Sequence, residues 1–341
     1  MSLKERFENY PSLKEVFWPC AKGLKHEVDH PHPLTSLVLG SGSRTTDVAK
    51  RTDKCLQLVK NANPQWLNEK VKIILEDEDY SNVSATLGEL RAYGELIWIK
   101  GEDISADKSG SDFTFSVSEK SVHIEVNTPQ HRTKRRTLEH ESFGSDRVKG
   151  NVYEIFPFGW PETEIDNTQG EAVSKIASVK QREHQLEKDS INILWVDLKD
   201  PTLWRMDFGN EQFLPITAFR EEITSGAFWS AFYAKKGTYI YDQLSIQGLV
   251  SRVYTMEYDG RFWNKSLVDF VVADTRKDQI VFQNPNRDIA IPDELFRNIH
   301  SLFAFNLELA WLDWPKKRSL LQRVESELER IQAYRDAFKI N

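Results

Sequence analysis

Nothing in this chain restricts the fold more than two adjacent runs in which apolar and polar residues strictly alternate. In the first, Phe113, Phe115 and Val117 share one face, and Asp112, Thr114 and Ser116 the other. In the second, Val122, Ile124 and Val126 oppose His123, Glu125 and Asn127. Each run has the pattern of a strand with one face in a core, and a short turn over Glu119-Lys120 predicts a hairpin. A turn centred there sets Asp112 across from Asn127 and Thr114 across from Glu125. Parity then gathers Asp112, Glu125 and Asn127 on one polar face, the two carboxylates about 5–8 Å apart as diagonal neighbours. Carboxylates that close repel unless positive charge lies between them. A hard divalent cation with oxygen ligands suits the position.

A chain of 341 residues that is 40% hydrophobic can bury one substantial core plus an appendage. Its net charge of -7 argues against a protein that coats nucleic acid by bulk charge, yet leaves room for a local basic groove. Cys20 and Cys55 are the only cysteines, so no disulfide framework is expected. The charged N-terminus lacks an apolar signal core, and the longest apolar stretch, Leu302 to Leu312, is too short to span a bilayer. The expectation is a cytoplasmic protein.

Residues 1–48 read as an irregular arm punctuated by Pro11, Pro19, Pro31 and Pro33, with Gly40-Ser-Gly-Ser43 closing it. Cys20, His26, His30 and His32 there match no zinc spacing. Helices are expected near Thr46–Asn61 and Pro64–Leu75, then a third starting at Ser81 or Asn82 with Val83, Leu87, Leu90, Gly94 and Ile97 in its stripe. The acidic run Glu76–Asp79 before it reads as a solvated connection. A helix from Gly170 to Lys188 precedes Ile191–Leu198, an almost continuous apolar run that suits a strand covered on both faces. Strand, helix and strand then make a right-handed crossover unit. Further on, the pattern predicts a helix over Glu221–Lys235, strands over Leu249–Glu257 and Gln279–Gln283, and a helix from Pro292 to about Trp311. The final helix, Lys316–Lys339, carries an apolar stripe that suits either its own domain or a homodimer.

The order of elements, together with Ser111-Asp112-Phe113 and Glu125-Val-Asn-Thr-Pro129, resembles the PD-(D/E)xK nuclease superfamily over about residues 81–198. It is similar to uncharacterised bacterial members whose second strand ends Glu-x-Lys-Thr-Pro and whose later helix carries a Lys-x-x-Gln-like element. The resemblance implies an α/β fold with a restriction-endonuclease-like mixed sheet (an αβββαβ core). A helical arm over residues 1–80 would precede that core. The α/β domain would continue over residues 201–315, as an α+β extension, ahead of the C-terminal helix.

The resemblance also implies roles. Asp112 and Glu125, with the Val126 carbonyl, would hold Mg²⁺ or Mn²⁺, and Glu89 on the first helix would complete the shell through water. The catalytic lysine of the superfamily would stand where this chain has Asn127. Asparagine can orient a water but brings neither charge nor a titratable proton. Lys180 on the crossover helix is the nearest substitute, and Gln130 and Gln181 are similar to polar residues lining the site in relatives. His123 shares the polar face. Beyond Gln130, the basic residues Arg132, Lys134, Arg135 and Arg136 follow the acidic face directly, where a phosphate backbone would approach a metal. Two functions are therefore expected: a divalent-metal-dependent nuclease acting on DNA or RNA, or a decayed relative that binds nucleic acid or a protein partner without cutting.

Overall fold

The computed structural model describes residues 3–21, 32–39, 43–100, 103–106, 110–117, 119–129, 186–200, 216–219, 222–225, 227–237, 239–245, 251–255, 259–263, 267–275, 279–284 and 286–287. Six helices come first: α1 (Leu3–Phe7), α2 (Pro11–Ala21), α3 (Pro33–Leu39), α4 (Ser43–Ala62), α5 (Pro64–Glu76) and α6 (Tyr80–Lys100). The stretch expected to be irregular therefore contains three of them. Pro11 and Pro33, which suggested loops, each occupy a first helical position, where proline costs no hydrogen bond. Phe7, Leu13, Phe17 and Leu34 of these helices are buried in the common core.

Helix α5 begins as its sequence dictates. Asn63 caps it by accepting from the Trp66 N–H at 3.1 Å, and Pro64 follows. Helix α6 is capped differently from expectation. Asp79 Oδ1 accepts from Ser81 N at 2.7 Å and Asn82 N at 3.2 Å, so part of the supposedly solvated acidic run is the cap. The expected stripe of α6 is buried from Val83 to Ile97.

Among the described residues that follow are nine strands: β1 (Phe113–Val117), β2 (Lys120–Asn127), β3 (Ile191–Asp197), β4 (Ile216–Phe219), β5 (Glu222–Ser225), β6 (Tyr239–Ser245), β7 (Ser251–Thr255), β8 (Phe270–Asp274) and β9 (Gln279–Gln283). One sheet has the order β1-β2-β3-β8-β9. Its outer pairs are antiparallel, and β2, β3 and β8 run parallel. The protein is thus mixed α/β, with a five-stranded mixed sheet flanked by helices. Strand β3 is buried at every position, as its unbroken apolar sequence requires. Strands β4 to β7 make a separate antiparallel sheet in sequential order. The helix expected over Glu221–Lys235 is only α7 (Ala227–Tyr233), because Glu222–Ser225 pairs with β4 and β6 instead. Strand pairing there outweighs a weak helical pattern, helped by β-branched Ile223 and Thr224.

The five-stranded sheet has two covered faces. Phe113, Ile124, Ile193, Trp195 and Val272 share the face that packs on the N-terminal helices, where Tyr93 of α6 stacks on Phe113 at 4.9 Å. On the opposite face Phe282 of β9 meets Phe232 of α7 at 5.1 Å. Of the helix expected over residues 170–188 only 186–188 are described, and they are not helical; the helices expected over 292–311 and 316–339 lie outside the described residues.

Candidate functional site at the carboxyl ends of the parallel strands

The β1–β2 register pairs Phe113 with Ile124 and Val117 with Lys120. Just before Lys120, Glu119 adopts φ 66° in the turn. The turn is thus one residue earlier than expected and the register differs by two. Extended by one residue, it sets Asp112 directly across from Glu125 rather than from Asn127. Glu125 and Asn127, two apart on β2, share one face, and Asp112 lies just before the start of β1. Asp112 Oδ2 accepts from the Val126 N–H at 2.7 Å, which fixes its carboxylate on the second strand.

This polar face is covered rather than solvated. Glu125 is 4% exposed, His123 is buried, and Asp112 and Asn127 are half-buried. His123 is held by its neighbours: Nδ1 lies 2.9 Å from Ser111 Oγ, and Nε2 lies 3.0 Å from Ser121 Oγ and 3.5 Å from Glu187 Oε2. Glu89 is not brought to the pair, since its carboxylate is bridged to Lys70 of α5. Gln130, Arg132, Lys134, Arg135, Arg136, Lys180 and Gln181 lie outside the described residues. His32 Nε2 bonds the Ile74 carbonyl at 2.9 Å and Nδ1 accepts from the Leu34 N–H at 3.2 Å, so both ring nitrogens are engaged within the protein, and burial lowers its pKa.

On the opposite face of the same sheet edge lies a cluster that the sequence reasoning did not single out. Asp197 ends β3, Asp274 ends β8, and the two are register partners. Arg91 of α6 grips Asp197 Oδ2 through Nε at 3.1 Å and through a second guanidinium nitrogen. Lys199 reaches Asp197 Oδ1 at 3.3 Å and bridges to Asp274 Oδ2. Arg51 of α4 binds Asp274 Oδ1 at 3.2 Å, the Thr275 carbonyl at 3.0 Å and Glu95 at 2.5 Å. Asp200 accepts from Tyr80 at 3.2 Å and from Ser84. Asp197 and Asp274 are 0% exposed and Lys199 is 1% exposed.

Burial alone would raise the Asp197 carboxyl, but Arg91 and then Lys199 more than offset it and hold it below the usual carboxylate range. Burial pushes Asp274 up, further than Lys199 and Arg51 pull it down. The charges satisfy one another in a sealed environment, so the cluster fastens α4 and α6 to the strand ends. One signal could have exposed it: Asp197 and Asp274 each terminate an apolar run, and a charge just past a buried strand must find a partner. Gly88 of α6 serves the same junction. A methyl there would overlap Thr128 Oγ1 and come within 3.1 Å of Asp197 Oδ2.

Among the described residues no three His, Cys, Asp or Glu side chains converge as a ready-made metal shell. Nor is any helix among them long and apolar enough to cross a membrane. Compared with protein families, characterised proteins and solved structures, the chain matches none.

Proposed function

We propose that the protein is a divalent-metal-dependent phosphodiester hydrolase of the PD-(D/E)xK kind, acting on DNA or RNA. The observation that carries this reading is that Asp112, the residue before β1, accepts from the Val126 N–H at 2.7 Å and so is tied to the residue next to Glu125 on β2. The surrounding order supports it: a helix, an antiparallel hairpin, then a strand parallel to the hairpin's second arm is the order of a restriction-endonuclease-like core. The isolated bridge from Ser105 to Thr114 stands where that core has its first short strand.

The donors fit a hard cation. Two carboxylates and the Val126 carbonyl are oxygen ligands of the type Mg²⁺ and Mn²⁺ prefer, and no thiolate or imidazole is needed. Bound there, such an ion would supply charge neutralisation and water activation for phosphodiester cleavage. The chain's own residues do the rest. The Val126 N–H orients the Asp112 carboxylate against β2. Covering of Glu125 keeps bulk water away and strengthens its electrostatic pull. Asn127, one residue beyond Val126 on the polar face, can hold a water by its amide, without charge.

A second reading is favoured by Asn127 itself: with no lysine at that place, the site binds nucleic acid or a protein partner without cutting. Mn²⁺-dependent degradation of DNA and RNA by wild type and Asp112→Ala tests the first reading. It expects cleavage that Asp112→Ala abolishes while the variant remains folded in EDTA, with a cooperative melt. Undiminished cleavage by the variant overturns it. Wild type inert towards both substrates, with activity appearing in Asn127→Lys, establishes the second.

A further inference from the structure

The described residues expose one large aromatic ring to solvent, Trp98, at 61%. It lies one helical turn beyond Gly94, where α4 and α6 cross so closely that a side chain on Gly94 would stand 2.5 Å from Cys55 Cα. Past this crossing the helices leave an open cleft of about 120 Å³, lined by Arg51, Lys54, Leu58, Glu95 and Trp98. Lys54 Nζ sits 3.2 Å from the centre of the Trp98 ring. Helix α4 carries five basic residues against two acidic ones, within a chain whose net charge is -7. The inner charges are already engaged: Arg51 with Glu95 and Asp274, Lys60 with Glu15, and Asp53 with the Leu13 N–H. Exposed Lys54 lines the cleft, and exposed Lys50 stands one helical turn before it on α4.

We propose that this cleft is a stacking site for one base of a single-stranded nucleic acid, with Trp98 as the platform and Lys54 and Lys50 meeting the flanking phosphates. An exposed indole beside a mobile ammonium is the combination that binds unpaired strands, because every base offers a π-face and every linkage a charge. A base placed on the indole releases Lys54 to a phosphate. A duplex keeps its bases stacked on one another, and a cleft of this size takes one ring rather than a double helix.

The site deepens the nuclease reading and rests on it for the substrate class. Arg51 joins the cleft to Asp274 and Thr275 at the carboxyl end of β8, while Glu125 stands near that end of β2. These parallel strands are two apart, roughly 10 Å at the usual spacing. The two places lie at the same carboxyl edge of the sheet, on its opposite faces.

The test measures binding of a fluorescent ten-nucleotide oligothymidylate and of a matched duplex to the full chain in EDTA. Wild type is expected to prefer the single strand. Trp98→Ala should weaken single-strand binding about 5- to 150-fold, the equivalent of ~1–3 kcal/mol for one stacked base. Trp98→Phe should restore most of it, and Lys54→Glu should weaken binding most at low salt. Equal binding by wild type and Trp98→Ala, preference for duplex, or no binding of either probe overturns the proposal. Cleavage by Asp112→Ala with Mn²⁺ is read separately. Trp98-dependent binding alongside undiminished Asp112→Ala cleavage keeps the stacking site and discards the metal reading. Loss of cleavage in Asp112→Ala with normal binding by Trp98→Ala does the reverse.

Discussion

Arg91→Met should be among the most damaging single changes in the chain. Arg91 is 2% exposed, and two of its guanidinium nitrogens bond the same oxygen of Asp197, itself 0% exposed. Methionine fills much of the space but leaves that oxygen without its main donor. Lys199 remains, though it bonds the other oxygen at 3.3 Å and also serves Asp274. Breaking a buried pair from one side costs about 3–5 kcal/mol. An unfolding entropy of about 2.1 cal/mol/K per residue gives roughly 0.7 kcal/mol/K over the whole chain. Scanning calorimetry should then show a melting temperature lower by about 4–7 °C. The deficit should also depend on pH. Asp197 is held below the usual carboxylate range, so its contribution is present above that range and disappears as pH falls through the lowered folded value. The gap between wild type and variant should therefore narrow towards acid. Adding Asp197→Leu should recover part of the loss, because an apolar pair leaves no stranded charge. A deficit below about 1 kcal/mol at neutral pH, or one independent of pH, would refute this account.

The other predictions concern the same sheet edge and its hairpin. Gly88→Ala should destabilise by about 1–3 kcal/mol in urea melts through overlap with Thr128 Oγ1, and Thr128→Ala should relieve most of it; no rescue would mean the two do not touch. Asp274 is raised by burial, so its stabilising contribution is present below the usual carboxylate range and is lost as pH rises through its folded value. Asp274→Asn should flatten that fall in a series of denaturant melts, and an unchanged slope would count against it. Glu119→Gly removes a side chain from a left-handed backbone and should stabilise by about 0.5–1 kcal/mol, checked by thermal melts; a loss would mean the turn relies on that side chain.

The strand pattern was legible in the sequence because period-two alternation reports directly on which residues meet a core. Phe113, Phe115, Val122, Ile124 and Val126 are buried as their spacing requires, and β3 is covered on both faces as its apolar run requires. The helical stripe from Val83 to Ile97 was equally plain. The alternation also put Glu125 and Asn127 on one face of β2, because parity survives a two-residue error in register. The register itself was not legible, since it depended on Glu119 entering a backbone conformation that carries little signature outside glycine and asparagine. The acidic run before α6 looked solvated because capping is a matter of geometry, which let Asp79 reach the first amides of the helix. Least visible was the Arg51–Arg91–Asp197–Lys199–Asp274 network, whose members are scattered over more than half the sequence. Local pattern fixes what each segment hides from water. Which charges then meet in the dark is settled only when distant segments pack together, because a buried ion is tolerable only beside a partner that the chain brings from elsewhere.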